Sequence, residues 1–186
     1  MKRLLICLTT LVLFALNAQA QKYFTRNGEI AFLSTTPLEN IEATNGSVTA
    51  VLDTESGRVE FAALIKAFEF KKALMQEHFN ENYMESSKYP KATFKGQLVD
   101  FDASQLSKPG TYTAKVSGDL TMHGVTQPVT TTAIFEVANG SITASTEFNV
   151  LVADYKIEIP AVVRDNIAKE VTIRVSTQLE VLKPQG

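Results

Sequence analysis

Four segments in the second half of the chain alternate apolar and polar residues with a period of two, and this period restricts the fold more than any other feature. In TYTAKVSGDLTM, Tyr112, Ala114, Val116, Gly118, Leu120 and Met122 share one face. VTTTAIFEV does the same for Val129, Thr131, Ala133, Phe135 and Val137, and SITASTEFNVLV for Ile142, Ala144, Thr146, Phe148, Val150 and Val152. VTIRVSTQLEV adds Val171, Ile173, Val175, Thr177, Leu179 and Val181. Successive side chains of a strand point to opposite faces, so such runs are strands with one face buried. GEIAFLST, GSVTAVLD, GRVEFAALIKAFEF and ATFKGQLVDF repeat the theme in the first half. Asn45-Gly46, Ser56-Gly57, Pro109-Gly110 and Asn139-Gly140 punctuate the runs as turns. About eight strands with short connections predict an all-β, antiparallel sandwich or barrel.

Two stretches interrupt the alternation. In KKALMQEHFNENYM, Leu74, Met75, Phe79 and Tyr83 recur at helical spacing with His78 on the same face, while Lys71, Lys72, Glu77 and Glu81 point away. This predicts one amphipathic helix over Lys71 to Met84, inserted among the strands and laid on the sheet either as fixed packing or as a lid. In IPAVVRDNIAK a short helical turn or a loop presents Val162, Val163 and Ile167 to the same core.

The beginning of the chain is of a different kind. Lys2 and Arg3 precede an apolar run from Leu4 to Leu16, and Ala18-Gln19-Ala20 follows as a small-x-small cleavage site. The expectation is a signal peptide over residues 1–20 and a single soluble, exported domain over 21–186. No later segment approaches the roughly 20 consecutive apolar residues a spanning helix needs. Cys7, within that run, is the only cysteine, which removes disulfide frameworks, cysteine-ligated metals and cysteine nucleophiles from the exported chain. The formal net charge is −2, and setting aside Lys2 and Arg3 makes it −4, so there is no basic footing for nucleic acid.

The inward faces combine rings with small residues. Phe32, Phe61, Phe94, Tyr112, Phe135 and Phe148 alternate with Ser34, Ala63, Gly96, Ala114, Gly118, Thr131, Ala133, Ala144 and Thr146. In a barrel of this size, small residues leave volume and rings give it apolar walls, although large and small residues can also interdigitate into a solid core. The hollow reading makes Phe32, Phe61, Met75, Phe79, Phe94, Tyr112, Ala133, Phe135, Ala144, Phe148 and Ile173 the candidate ligand contacts. The inward hydroxyls of Thr131 and Thr146 are expected to bond within the fold.

LTMHGVTQPV places His123 and Gly124 where one strand turns into the next, with Pro128 expected at the start of that next strand. Gly124 suits a positive φ and His123 a backbone hydrogen bond beside the turn. The functional alternative pairs His123 with His78 at a metal or head-group site, as in a metal-dependent hydrolase. Two histidines without a carboxylate at ligand spacing make a poor metal set, so no metal and no cofactor is expected. Nucleophile elbows, phosphate loops and His-Glu-x-x-His helices are absent from the sequence, and nothing in it asks for an enzyme.

HFNENYMESSKYPKATFKG and VSGDLTMHGVTQPV resemble the two signature stretches of the YceI-like family, and FNVLVADYKIEIP resembles its C-terminal stretch. The resemblance runs over nearly all of Gln21 to Leu182. It implies a lipocalin-like antiparallel β-barrel, exported in many bacteria, that holds a polyisoprenoid or similar long-chain amphiphile without established catalytic activity. The expectation is a periplasmic or secreted binding protein for a long-chain isoprenoid or acyl lipid, as monomer or homodimer. A solid-cored envelope or stress-response interaction module is the competing reading.

Overall fold

The computed structural model describes residues 21–182, so the expected signal peptide lies outside the described residues. The strands are β1 (Lys22–Thr35), β2 (Asn40–Asp53), β3 (Arg58–Leu64), the two-residue β4 (Glu69–Phe70), β5 (Lys91–Val99), β6 (Gly110–Met122), β7 (Val125–Ala138), β8 (Ser141–Leu151) and β9 (Glu170–Val181). All pairs are antiparallel in the order β1-β9-β8-β7-β6-β5-β3-β2, and β1 pairs back onto β2. That closure makes an eight-stranded barrel and decides against the sandwich. β4 is a side pair on the mouth half of β2. Apart from the insertion between β3 and β5 and the closing β1–β9 pair, neighbours in the barrel are neighbours in the chain, and closure leaves a free edge only locally, at the start of β7.

The two ends are closed differently. At one end, the base, the connections are short. Asn139 (φ 52°) and Gly140 (φ 78°) form the two-residue loop between β7 and β8, with the positive φ at both positions that a type I′ hairpin requires. Between β5 and β6, a single 3-10 turn over Ala103–Ser107 is capped by the Asp102 carboxylate, which accepts from the Ser104 N–H at 3.0 Å. The turn drives Leu106 under the barrel, where it packs with Leu52, Ile142 and Leu179, all at most 2% exposed. Burial of each such side chain stabilises the fold by about 1.5–3 kcal/mol. At the other end, the mouth, lie the 35–40 turn, the 65–90 insertion, the His123-Gly124 hairpin and the 152–169 connection.

Several sequence expectations change. Asn45-Gly46 is no hairpin turn. It lies inside β2, where the β1–β2 register shifts, and Asn45 is fully buried, its amide donating to the Leu64 carbonyl and its Oδ1 accepting from the Ser47 N–H, both at 2.9 Å. Asn was selected there for its two-sided hydrogen bonding, which resembles a turn signature in sequence. Pro128 is the fourth residue of β7, not its first. It is tolerated because β8 joins β7 only from Ala133 onwards, leaving that stretch of β7 with a free edge. The helix is shorter than expected: α1 covers Ala73–His78 and continues as a π-type turn over Phe79–Tyr83.

Candidate ligand cavity

The barrel is hollow. A cavity of about 460 Å³ runs within it, inside the range of about 300–1,000 Å³ usual for small-molecule sites. Ten of the residues expected to line it do so: Phe32, Phe61, Met75, Phe79, Phe94, Ala133, Phe135, Ala144, Phe148 and Ile173. Tyr112 does not. Its ring lies at the base, edge-on to Phe101 with centroids 6.2 Å apart, and its hydroxyl donates to the Lys108 carbonyl at 3.1 Å. Only two residues into β6, it packs on the connection from β5, at Phe101 and Lys108, instead of on the cavity.

The volume comes from fewer small residues than the alternation suggested. Ser34, Ala63, Thr131, Ala133, Ala144 and Thr146 border the cavity, whereas Ala114 is buried in the base. Gly96 and Gly118 face one another across β5 and β6 at a close approach of the two strands. A Cβ on Gly118 would stand 2.4 Å from the Gly96 Cα, and one on Gly96 would meet the Phe94 ring at 2.5 Å. The missing side chains there are filled by backbone and by a folded-over ring, leaving no void. Thr131 and Thr146 hydroxyls bond each other at 2.8 Å, as expected. Carbonyls of the facing strands also stand within reach, Thr132 at 2.8 Å from the Thr146 hydroxyl and Glu147 at 3.2 Å from that of Thr131, so with one hydrogen each one hydroxyl donates to the other and the other to its carbonyl, where the β7–β8 ladder ends.

Four phenylalanines roof the cavity. Phe79, from the π-type turn, stacks on Phe32 of β1 at 5.3 Å and 19°, and meets Phe68 and Phe70 at 5.7 and 5.0 Å. Phe68 and Phe70 escaped the alternation. Ile65 keeps the inward phase of Phe61 and Ala63, and the 3-10 turn Ile65–Ala67 then shifts the parity of GRVEFAALIKAFEF by one, moving Phe68 and Phe70 inward. The break at Ile65-Lys66-Ala67 was the signal available for them. Met75, His78 and Tyr83 line the cavity beside this roof, but Leu74 is 61% exposed and stands off it. Met75, His78 and Phe79 share one helical face at i, i+3 and i+4, and Leu74, one residue before Met75, is turned about 100° off it. In the 152–169 connection, Val163 and Ile167 face the cavity, yet Val162 is 88% exposed at the tip of the 3-10 turn Ala161–Val163.

Two polar clamps hold the insertions. Glu39 joins three mouth segments, its Oε1 accepting from Lys72 Nζ at 3.2 Å and its Oε2 from Asn166 Nδ2 at 3.4 Å. The second clamp answers what His123 does. His123 (φ 51°) and Gly124 (φ 73°) form the two-residue loop between β6 and β7, and a Cβ at Gly124 would strike the Tyr89 ring at 2.5 Å. His123 Nδ1 lies 2.9 Å from the Tyr155 carbonyl and Nε2 3.0 Å from Glu85 Oε2. Both partners are acceptors, so the ring satisfies both when each nitrogen carries hydrogen. The Tyr89 ring packs edge-on at 4.8 Å.

His123 therefore ties the hairpin to the segment after α1 and to the turn Val152–Tyr155. His78 instead borders the cavity, sharing neither partner. No group of three or more His, Cys, Asp or Glu side chains fit to hold a metal occurs among the described residues, which leaves the hydrolase reading without a ligand set. Burial, and then the neighbouring Asp154 carboxylate, push the Tyr155 phenol up to about 12.

The cavity and its closed antiparallel wall define a barrel with an apolar interior. A family model for the YceI-like domain matches residues 19–179, and the chain belongs to the YceI-like family. Among solved structures it is similar to a polyisoprenoid binding domain from Saccharophagus degradans implicated in plant cell wall breakdown, at 14% identity and TM-score 0.76, covering 88% of this chain and 100% of that one. Burkholderia cenocepacia BcnA follows at 14% identity and TM-score 0.67, with 82% and 95% covered. A Campylobacter jejuni YceI protein is 18% identical at TM-score 0.59, with 74% and 82% covered. These likenesses establish the fold. A search of curated proteins finds no match.

Proposed function

We propose that the protein is a non-enzymatic carrier or store that holds one long apolar chain, polyisoprenoid or acyl, in its barrel, and that it works in the periplasm or outside the cell after removal of residues 1–20. The observation that carries this reading is the cavity itself: about 460 Å³ bounded largely by phenylalanine, valine, isoleucine and methionine side chains, with Glu39 and His78 among its few polar borders. Binding comes mainly from burying methylenes, each contributing about 0.8 kcal/mol. Long chains are therefore favoured, and head groups are discriminated less. The polyisoprenoid-binding description of the Saccharophagus domain supports the ligand class, and the charged-apolar-small pattern of residues 1–20 supports export. No helix among the described residues is long and apolar enough to cross a membrane.

The test is native mass spectrometry of protein purified from the cells that make it, followed by uptake of prenyl and acyl chains from detergent micelles. A stoichiometric lipid is expected. Ala133→Phe, which points a ring into the cavity from its wall, should lower uptake about tenfold while costing less than the roughly 1–3 kcal/mol of overpacking a filled core. Absence of any chain from both preparations would end the carrier reading.

A further inference from the structure

The three most exposed large apolar side chains of the described residues are Val162, Leu38 and Leu74, at 88%, 69% and 61%. They belong to three segments far apart in sequence: the 3-10 turn Ala161–Val163, the turn between β1 and β2, and α1. All three lie at the mouth. Glu39, which follows Leu38, accepts from Lys72 beside α1 and from Asn166 just after Val162's turn, so a single carboxylate gathers the three tips. Each tip is also next in sequence to a residue that borders the cavity: Glu39, Met75 and Val163. That side of the mouth thus carries a partial ring of apolar side chains exposed to solvent while their neighbours in sequence border the cavity.

We propose that this ring docks the protein on a lipid bilayer, placing the mouth against the phase from which the cargo is drawn. The proposal rests on the reading of the cavity as a lipid site. A bilayer suits the ring for two reasons. An apolar chain crossing open water would expose its methylenes at a cost that grows with each one, and a mouth seated on lipid avoids that exposure. The charges in segments 35–40, 71–75 and 160–164 are Lys71, Lys72, Arg164 and Glu39, and Glu39 is already engaged by Lys72 and Asn166. Lys71 is also paired with Glu42 at 4.0 Å and Arg164 is followed by Asp165, so the charges beside the tips balance and set no electrostatic repulsion against a bilayer. Docking of this kind is shallow and reversible, resting on a few apolar side chains.

The test uses the chain from Gln21, which contains the whole closed barrel, with vesicles of phosphatidylcholine and a minor fraction of phosphatidylglycerol. Wild-type protein should float with the vesicles. The triple variant Leu38→Ser, Leu74→Ser, Val162→Ser should keep its unfolding midpoint, since those side chains are exposed, and bind about tenfold or more weakly. Ile134→Ser, which removes an apolar residue 45% exposed on the outer wall of β7, should bind as wild type. The chain lacks tryptophan, so Leu74→Trp gives a single reporter whose emission should shift to the blue on vesicles.

Failure to float, or equal binding by wild type and triple variant, would overturn the proposal. So would a ring that instead joins two copies, seen as a wild-type dimer that the triple variant dissolves without any vesicle binding. Loading from detergent micelles is scored separately. Protein that loads but does not float loses only the docking, and protein that floats but never loads keeps the docking and loses the lipid-cargo reading.

Discussion

At the base of the barrel Leu52, Leu106, Ile142 and Leu179 interlock beneath short hairpins, and the 103–107 turn plugs what the strands leave open. At the mouth the same strands are covered by long insertions whose inner surface is aromatic: Phe32, Phe68, Phe70 and Phe79, with Met75 and Tyr83 beside them. Branched aliphatic side chains at full burial have single packing solutions and fix the barrel. Rings at 5–6 Å and an unbranched methionine can slide and repack around chains of different length. One alternating pattern thus yields a floor that holds the fold and a roof that can admit a ligand. At the mouth Glu39 and His123 also tie down insertions that apolar packing alone would leave loose.

If that division is right, damage to the floor should be felt as stability. Ile142→Ala, at a side chain with no exposure, should cost about 2–5 kcal/mol by urea unfolding, while the folded fraction still takes up ligand with near wild-type affinity. A loss below about 1 kcal/mol would mean that the base is no better packed than the mouth. Damage to the roof should be felt as retention. Phe79→Leu keeps an apolar side chain but removes the stack on Phe32, so a cost of about 0.5–1.5 kcal/mol in stability and a several-fold faster ligand release are expected. Dissociation of a fluorescent prenyl chain measures the second, and an unchanged rate would place the exit elsewhere, with the free edge of β7 above Ala133 the next region to examine.

The difference between the ends also explains what was legible in the sequence. Inward faces of β6 to β9 follow directly from alternation: Ala114, Val116, Ala133, Phe135, Ile142, Ala144 and Leu179 are all buried. A strand's period is local, so it survives reading one segment at a time. The mouth is assembled from contacts with no local trace. Asn166 and Glu39 are 127 positions apart, Glu85 and His123 are 38, and Lys72 and Glu39 are 33. Glu39 leaves no local trace for that reason. Periodicity places Leu74 and Val162 inward because it assumes a regular element of several turns, whereas α1 has six residues and the Ala161–Val163 turn three. Tyr112 had the right face but the wrong height, since alternation gives sidedness and says nothing of depth along the barrel.

The smallest effect expected at neutral pH comes from Tyr155, and it appears only in alkali. Tyr155 is 2% exposed in the mouth-side cluster, beneath the carbonyl that receives His123. Its phenol is raised from 10.0 to about 12, by burial first and then by the Asp154 carboxylate. A raised value means that the fold favours the neutral phenol, so its contribution is complete below about pH 10 and is lost as pH climbs through about 12. Tyr23 at the base is raised by burial as well, giving a counterpart at the other end. Tyr155→Phe should leave stability near neutrality almost unchanged and make its fall between about pH 10 and 12 shallower, in denaturation series run across that window. If mouth clamps yield before the floor, wild-type protein should also release ligand within this window while its strands remain folded, and Tyr155→Phe should delay that release. A wild-type and Tyr155→Phe pair with identical alkaline slopes would remove Tyr155 as the group responsible and shift attention to Tyr23 and the base.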